Sequence, residues 1–143
     1  MTLAEFLKHR RERPASAADL HGHIGLFRTA VERLAARIRD VLRPYEELEI
    51  EERSVLLKEE GVPYGATALT IRFLDVQVTV EPKGMSVIGA AGRVELASGV
   101  KVVLLDWNRG DDWSYRWSIP SGDGGSRPLT DAAIEEIVQG LLA

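Results

Sequence analysis

Val76-Gln77-Val78-Thr79-Val80-Glu81 alternates apolar and polar residues without a break. Successive side chains of a strand point to opposite faces, so the hexapeptide describes a strand with one apolar and one polar side. Similar segments surround it, and the pattern predicts strands at about Ala68 to Leu74, Val76 to Glu81, Met85 to Ala90, Arg93 to Ala97, Val100 to Asp106 and Trp113 to Ile119. The connections Pro82-Lys83-Gly84, Ala91-Gly92 and Ser98-Gly99 are short and rich in turn formers, which makes the strands an antiparallel meander. Leu48 to Lys58 reads as a further strand, after which Gly61, Pro63 and Gly65 are expected to break the chain.

Helices flank the sheet. Thr2 with Glu5, and Ser16 with Asp19, have the spacing of a capping box, in which an N-cap oxygen and an N3 carboxylate satisfy free backbone donors. The first helix is short, carries Leu3, Phe6 and Leu7, and ends before Pro14. The second is long, with Leu20, Ile24, Phe27, Val31, Leu34, Ile38 and Val41 spaced alternately by four and three residues as an amphipathic seam that runs until Pro44. After the loop Ser121 to Ser126, Thr130 is placed to cap a final helix, with Leu129 positioned to staple onto Ile134. The expected fold is α+β: one domain with an antiparallel meander sheet of six to seven strands, the long and C-terminal helices on one face, and the first helix mobile or over the other.

Sorting side chains by parity assigns Leu69, Ile71, Phe73, Val76, Val78, Val80, Val87, Val94, Leu96, Val102, Leu104, Trp113, Tyr115, Trp117 and Ile119 to the helix-covered face. The other face is expected to be mixed, with Thr70, Arg72, Gln77, Thr79, Glu81, Arg93, Glu95, Lys101, Ser114 and Arg116 beside Ile88, Val103 and Leu105. An antiparallel sheet can leave one polar face in water, but an apolar strip within it calls for a cover.

The 143 residues suffice for a real core without staples, and the absence of cysteine excludes disulfides, thiol catalysis and thiolate metal sites. The charged start, Met1 to Arg13, lacks the apolar stretch of a signal peptide, and no segment is long enough to span a bilayer, so the expectation is a cytoplasmic protein with no membrane partner. Four lysines against fourteen arginines, with abundant alanine and glycine, suggest a GC-rich bacterial genome. Met1 to Pro44 carries nine basic and five acidic residues, for a charge of +4, and the remainder carries −8. Such asymmetry can mark a nucleic-acid or membrane arm, but packing of the basic helices on the acidic sheet and loops explains it as well.

Candidate chemistry is sparse. His21 and His23 lie two apart, about 200° apart on a helix, and cannot grip one ion there. Asp106-Trp107-Asn108-Arg109-Gly110-Asp111-Asp112 imitates the start of a calcium loop, but Gly110 and Asp111 stand where an oxygen ligand and then glycine are needed, and Trp117 replaces the bidentate glutamate. Trp113, Tyr115 and Trp117 form an aromatic row that fits burial better than base stacking, because the surrounding chain is acidic. The basic run Lys8, Arg10, Arg11 and Arg13 reads as a solvated helix face, because a long helix follows it where a helix-turn-helix needs a short turn and a recognition helix. No metal or cofactor is called for and nucleic acid is not an expected partner.

The sequence is therefore read as a small non-enzymatic interaction protein, an adaptor, immunity or chaperone-like partner, that binds another protein or a second copy of itself. The expected contact surface is the mixed face, with Ile88, Val103 and Leu105 at its centre and Arg72, Arg93 and Arg116 around them. The competing reading is a ligand-binding protein or enzyme with Asp106, Asp111, Asp112 and Trp113 at the mouth of a pocket between sheet and helices.

Overall fold

Seven strands lie side by side in the order in which the chain makes them, every neighbouring pair antiparallel. The computed structural model describes residues 2–5, 17–87, 89–119 and 125–143, with Ala17, Ala18 and Ile119 described by backbone alone. The elements are α1 (Ala17–Leu42), β1 (Glu49–Glu59), β2 (Val62–Phe73), β3 (Val76–Gly84), β4 (Gly92–Ser98), β5 (Lys101–Trp107), β6 (Trp113–Ile119), β7 (Arg127–Pro128) and α2 (Asp131–Leu142). The α+β meander with a long N-terminal and a C-terminal helix is the architecture the periodicities predict.

The helix ends are made locally. Thr130 Oγ1 accepts from the Ala133 N–H at 3.1 Å and starts α2, with Leu129 and Ile134 both buried beside the cap. Thr2 and Glu5 exchange the two bonds of a capping box, each 3.2 Å long, over the short helical stretch at residues 3–5. Ser16, Pro14, Ile88 and the basic run at Lys8, Arg10, Arg11 and Arg13 lie outside the described residues.

Along α1, Ile24, Phe27, Val31, Leu34 and Ile38 are buried and Leu20 and Val41 half-buried, as the four-and-three spacing requires. They pack on Leu69, Ile71, Val78, Val80, Val94, Leu96, Trp113 and Tyr115, all buried on the helix-covered sheet face. Each such side chain removed from water contributes about 1.5–3 kcal/mol, enough in sum to clamp the helices to the sheet. Ion pairs join the basic helix to acidic parts further along the chain: Arg33 to Asp111, Arg37 to Asp131 and Arg39 to Glu52. The opposite charges of the two halves thus meet within the protein.

Three expectations need correction. First, Val103 and Leu105 are fully buried on the helix side, while Val102 and Leu104 are the half-buried residues of the other face. A two-residue loop, Gly99-Val100, joins Ser98 to Lys101, so Leu96 stands opposite Val103 and Val94 opposite Leu105. Directly opposed residues share a face, and Lys101 accordingly also points toward the helices, where its Nζ donates to the Gly140 and Ala143 carbonyls at 3.1 and 2.7 Å. α2 has no basic residue in its last turn, and Lys101 supplies that charge from the sheet.

Second, of the strand expected over Met85 to Ala90, the described residues Met85, Ser86, Val87, Gly89 and Ala90 are not strand. The Glu59 carboxylate takes the Met85 N–H at 2.7 Å and the Ser86 hydroxyl at 2.7 Å, which pulls this segment away from the sheet ladder. Third, the chain breaks at Gly61 as expected, but Pro63 and Gly65 do not break it and lie within β2. Glu60 and Gly61 form a tight turn with both φ positive (49° and 83°). Pro63 is tolerated because the pairing of β2 with β3 begins only at Leu69, so Pro63 pairs with β1 alone.

Candidate functional site

The face of the sheet away from the helices collects most of the partly exposed charge. Register places Glu81, Glu95, Leu104 and Arg116 in one row across β3 to β6, and Arg93, Asp106 and Ser114 in the next row but one. Two ion-pair clusters result. In the first, Glu81 accepts from Lys83 at 3.0 Å and from Arg53 at 3.4 Å. The Lys83 ammonium, helped by Arg53 and opposed by partial desolvation, holds the Glu81 carboxyl below its ordinary range.

In the second cluster, Asp106 is gripped from two sides, with Arg93 Nε 2.8 Å from Oδ1 and Arg116 Nε 3.5 Å from Oδ2. The Asp106 and Arg93 side chains are only 12% and 15% exposed, so this pair is largely withdrawn from water on a face that no described helix covers. Between the clusters lie half-buried Leu104 and Glu95, whose carboxylate stands opposite Glu81 and has no ion pair among the described residues. Arg72 reaches Glu51 at 2.9 Å and Gln77 at 3.3 Å near the far end of the face.

At the β1–β2 turn the same face curls inward. β1 comes into contact with β3 across β2, and Tyr64, Ala66, Ala68 and Thr70 are buried although they alternate away from the helices. Glu59, only 3% exposed, is the latch. Its Oε1 accepts from the Tyr64 hydroxyl at 2.9 Å as well as from Met85, and its Oε2 accepts from Ser86. Burial, reinforced by the hydrogen bond to Glu59 and its charge, raises the Tyr64 hydroxyl well above 10.0.

The residues expected to act together are thus separated. Arg72, Arg93 and Arg116 do share the face away from the described helices, but Val103 and Leu105 lie under those helices and Ile88 is outside the described residues. The second expected set divides as well: Asp106 faces Arg93 on the open side, whereas Trp113, paired with Trp107, is buried on the helix side. Asp111 and Asp112 are exposed in the loop between them. That loop has a hairpin's bonds, Asn108 N–H to Asp112 O and Asp112 N–H to Arg109 O. His21 and His23 are exposed on α1, which includes both and so turns them apart. Among the described residues, no three His, Asp or Glu side chains converge as metal ligands. No described helix is long and apolar enough to cross a membrane.

Two recesses lie on the helix side. A shallow one of about 310 Å³ beside the hairpin is lined by Arg33, Leu34, Arg37, Asp111 and Trp113. A larger cleft of about 640 Å³ opens where α1 ends, between Leu42, Leu48, Phe73, Val138 and Leu142, with Tyr45, Glu47 and Glu135 at its rim. The Tyr45 hydroxyl donates to Glu135, and that bond, with the negative charge, raises it above its ordinary range. This cleft was not visible in the sequence because its walls come from four segments, and its only signal was apolar Leu48 and Leu142 at element ends. Comparison with known protein families, with curated proteins and with solved structures gives no match.

Proposed function

We propose that this chain is a small non-enzymatic interaction protein of the bacterial cytosol, an adaptor, immunity or chaperone-like partner, that docks another protein on the sheet face away from the described helices. The observation that carries the reading is half-exposed apolar Leu104, set between the Arg53–Glu81–Lys83 and Arg93–Asp106–Arg116 clusters, with half-exposed Val102 two residues along the same strand beside it. Protein interfaces favour an apolar centre with arginine close by. Arg53, Arg72, Arg93 and Arg116 are each already paired with a carboxylate, which suits a protein surface better than a run of phosphates. Glu95 then selects a partner segment that presents a lysine or arginine next to an apolar side chain.

The test begins with a photo-crosslinking residue at position 104 in cells, to identify what lies against it. The captured protein is then purified and titrated against wild type, Leu104→Glu and Leu74→Glu, the last on an exposed turn away from the face. Leu104→Glu is expected to weaken binding by roughly tenfold or more, the loss of a central contact. Equal binding by all three overturns the reading.

The 640 Å³ apolar cleft supports a second reading, a small ligand with an apolar body and a polar head for Tyr45 and Glu135. It displaces the pocket expected beside the Asp106–Trp113 hairpin, where the recess is half the size. A metabolite panel that raises the melting midpoint of wild type but not of Leu142→Arg is its test.

A further inference from the structure

We propose that β1 is an interface strand, along which two copies of the chain pair antiparallel about a two-fold axis at Val55 and so join their sheets into one. The inference is independent of any partner on the sheet face away from the described helices.

The two edges of the sheet differ. At one, β7 is two residues long, contains Pro128 and pairs only with Ser114 and Tyr115. At the other, β1 presents eleven residues in unbroken register with β2, and no backbone bond outside the strands reaches its outer side among the described residues. Native edge strands are blunted by proline, bulges, inward charges or a cover. Ser54 to Leu57, at the middle of β1, has none of these, and Leu56 is 74% exposed there. Its cross-strand neighbour is Gly65, which has no side chain to shield it.

The exposed stripe Glu52, Ser54, Leu56, Lys58 then dictates the occupant. It is acidic at one end and basic at the other, so it is complementary to a reversed copy of itself. With the axis at Val55, Glu52 stands opposite Lys58 of the second copy at both ends and the two Leu56 side chains become diagonal neighbours, while Glu51, which then faces Glu59, is neutralised by its own ion pair with Arg72 at 2.9 Å. A one-residue slip would set unlike faces together. Moving the axis to Leu56 would oppose Arg53 to Glu59, whose oxygens are already taken by Tyr64, Met85 and Ser86. The contact of Glu52 with Arg39, 3.7 Å long and solvent-exposed on both sides, is too weak to compete.

Sedimentation equilibrium on the full chain tests the proposal. Wild type is expected to dimerise, Lys58→Glu to weaken the dimer roughly tenfold or more, and Glu52→Lys/Lys58→Glu to restore it, because only residues that face each other across the axis can exchange charges. A monomeric wild type, or a dimer indifferent to Lys58→Glu, overturns it. The chain has no cysteine, so Val55→Cys gives a second readout independent of the charge variants. Opposed strand residues have Cα atoms about 4.5–5.5 Å apart, within disulfide reach. Val55→Cys should therefore form a linked dimer under mild oxidation while the exposed control Val100→Cys does not, and equal linkage of the two refutes the axis.

Discussion

Phe27 of α1 leans on Trp107 of β5, ring centroids 5.5 Å apart and planes at 51°, directly over Gly92 at the start of β4. The helix approaches the sheet this closely because Gly92 has no side chain. A methyl group there would stand 2.7 Å from Phe27 Cδ1 and 3.2 Å from Trp107 Cε3, inside normal contact. Gly92→Ala is therefore expected to cost about 1–3 kcal/mol through overpacking. Urea denaturation should show a lower midpoint at unchanged slope, with the near-ultraviolet tryptophan signal altered.

The Glu59 latch makes a prediction that depends on chemistry more than on size. Glu59→Ala leaves the buried Tyr64 hydroxyl and the part-buried Met85 N–H without their acceptor, at about 1–3 kcal/mol for each donor that water cannot reach, while the exposed Ser86 hydroxyl can turn to water. Glu59→Gln retains an acceptor oxygen and should lose markedly less. Hydrogen exchange at Met85 is the local readout, and exchange that is equally fast in wild type and Glu59→Ala would remove the latch from the account.

Tyr64 links that latch to pH. Its hydroxyl is raised above 10.0 in the folded protein, so the folded state keeps a proton that the unfolded chain releases. Stability is then constant with respect to this group below about pH 10 and falls as pH rises beyond it. Tyr64→Phe should lower stability at neutral pH by the lost hydrogen bond, yet flatten the decline above pH 10. Parallel melting curves for the two proteins from pH 9 to pH 11.5 would contradict the assignment.

Two aspartates in similar ion pairs should behave differently. Asp106, 12% exposed between Arg93 and Arg116, gives both guanidiniums a charge-assisted contact in a largely buried place, and Asp106→Ala is expected to cost about 1.5–3 kcal/mol. Asp111, 66% exposed against Arg33, should cost less than about 1 kcal/mol. Guanidinium midpoints for the two variants test the contrast.

Leu74 offers a change in the other direction. It occupies the left-handed region at φ 54° in the turn between β2 and β3, and its side chain is 85% exposed. A non-glycine residue pays roughly 1–2 kcal/mol for that conformation and Leu74 recovers little by burial. Leu74→Gly is expected to stabilise the protein by about 1 kcal/mol, read as a higher melting midpoint.

Much of the fold is legible in the chain because period and capping are local. Val76 to Glu81 alternates since only one side of β3 is buried, and Thr130 caps α2 from its own side chain. The phase of β5 is harder. Val102-Val103-Leu104-Leu105 is apolar at every position, so alternation within it carries no information. Counting through the two-residue loop from Ser98 to Lys101 would have put Val103 opposite Leu96 and settled the matter. Met85 to Ala90 could not be settled so simply, because the carboxylate that holds it comes from Glu59, on a strand two places away in the sheet.

By itself, then, the sequence determined most of the elements, the antiparallel meander they make and the face of α1 that is buried, because these follow from neighbours a few residues apart. Only the tertiary structure decided that Asp106 meets Arg93 and Arg116 on the face away from α1 and α2, that Phe73 and Val138 wall one cleft, and that β1 is the long edge strand of the sheet. Those relationships depend on register and curl of the sheet. Both are set by many weak contacts between distant residues, and no short stretch of sequence contains them.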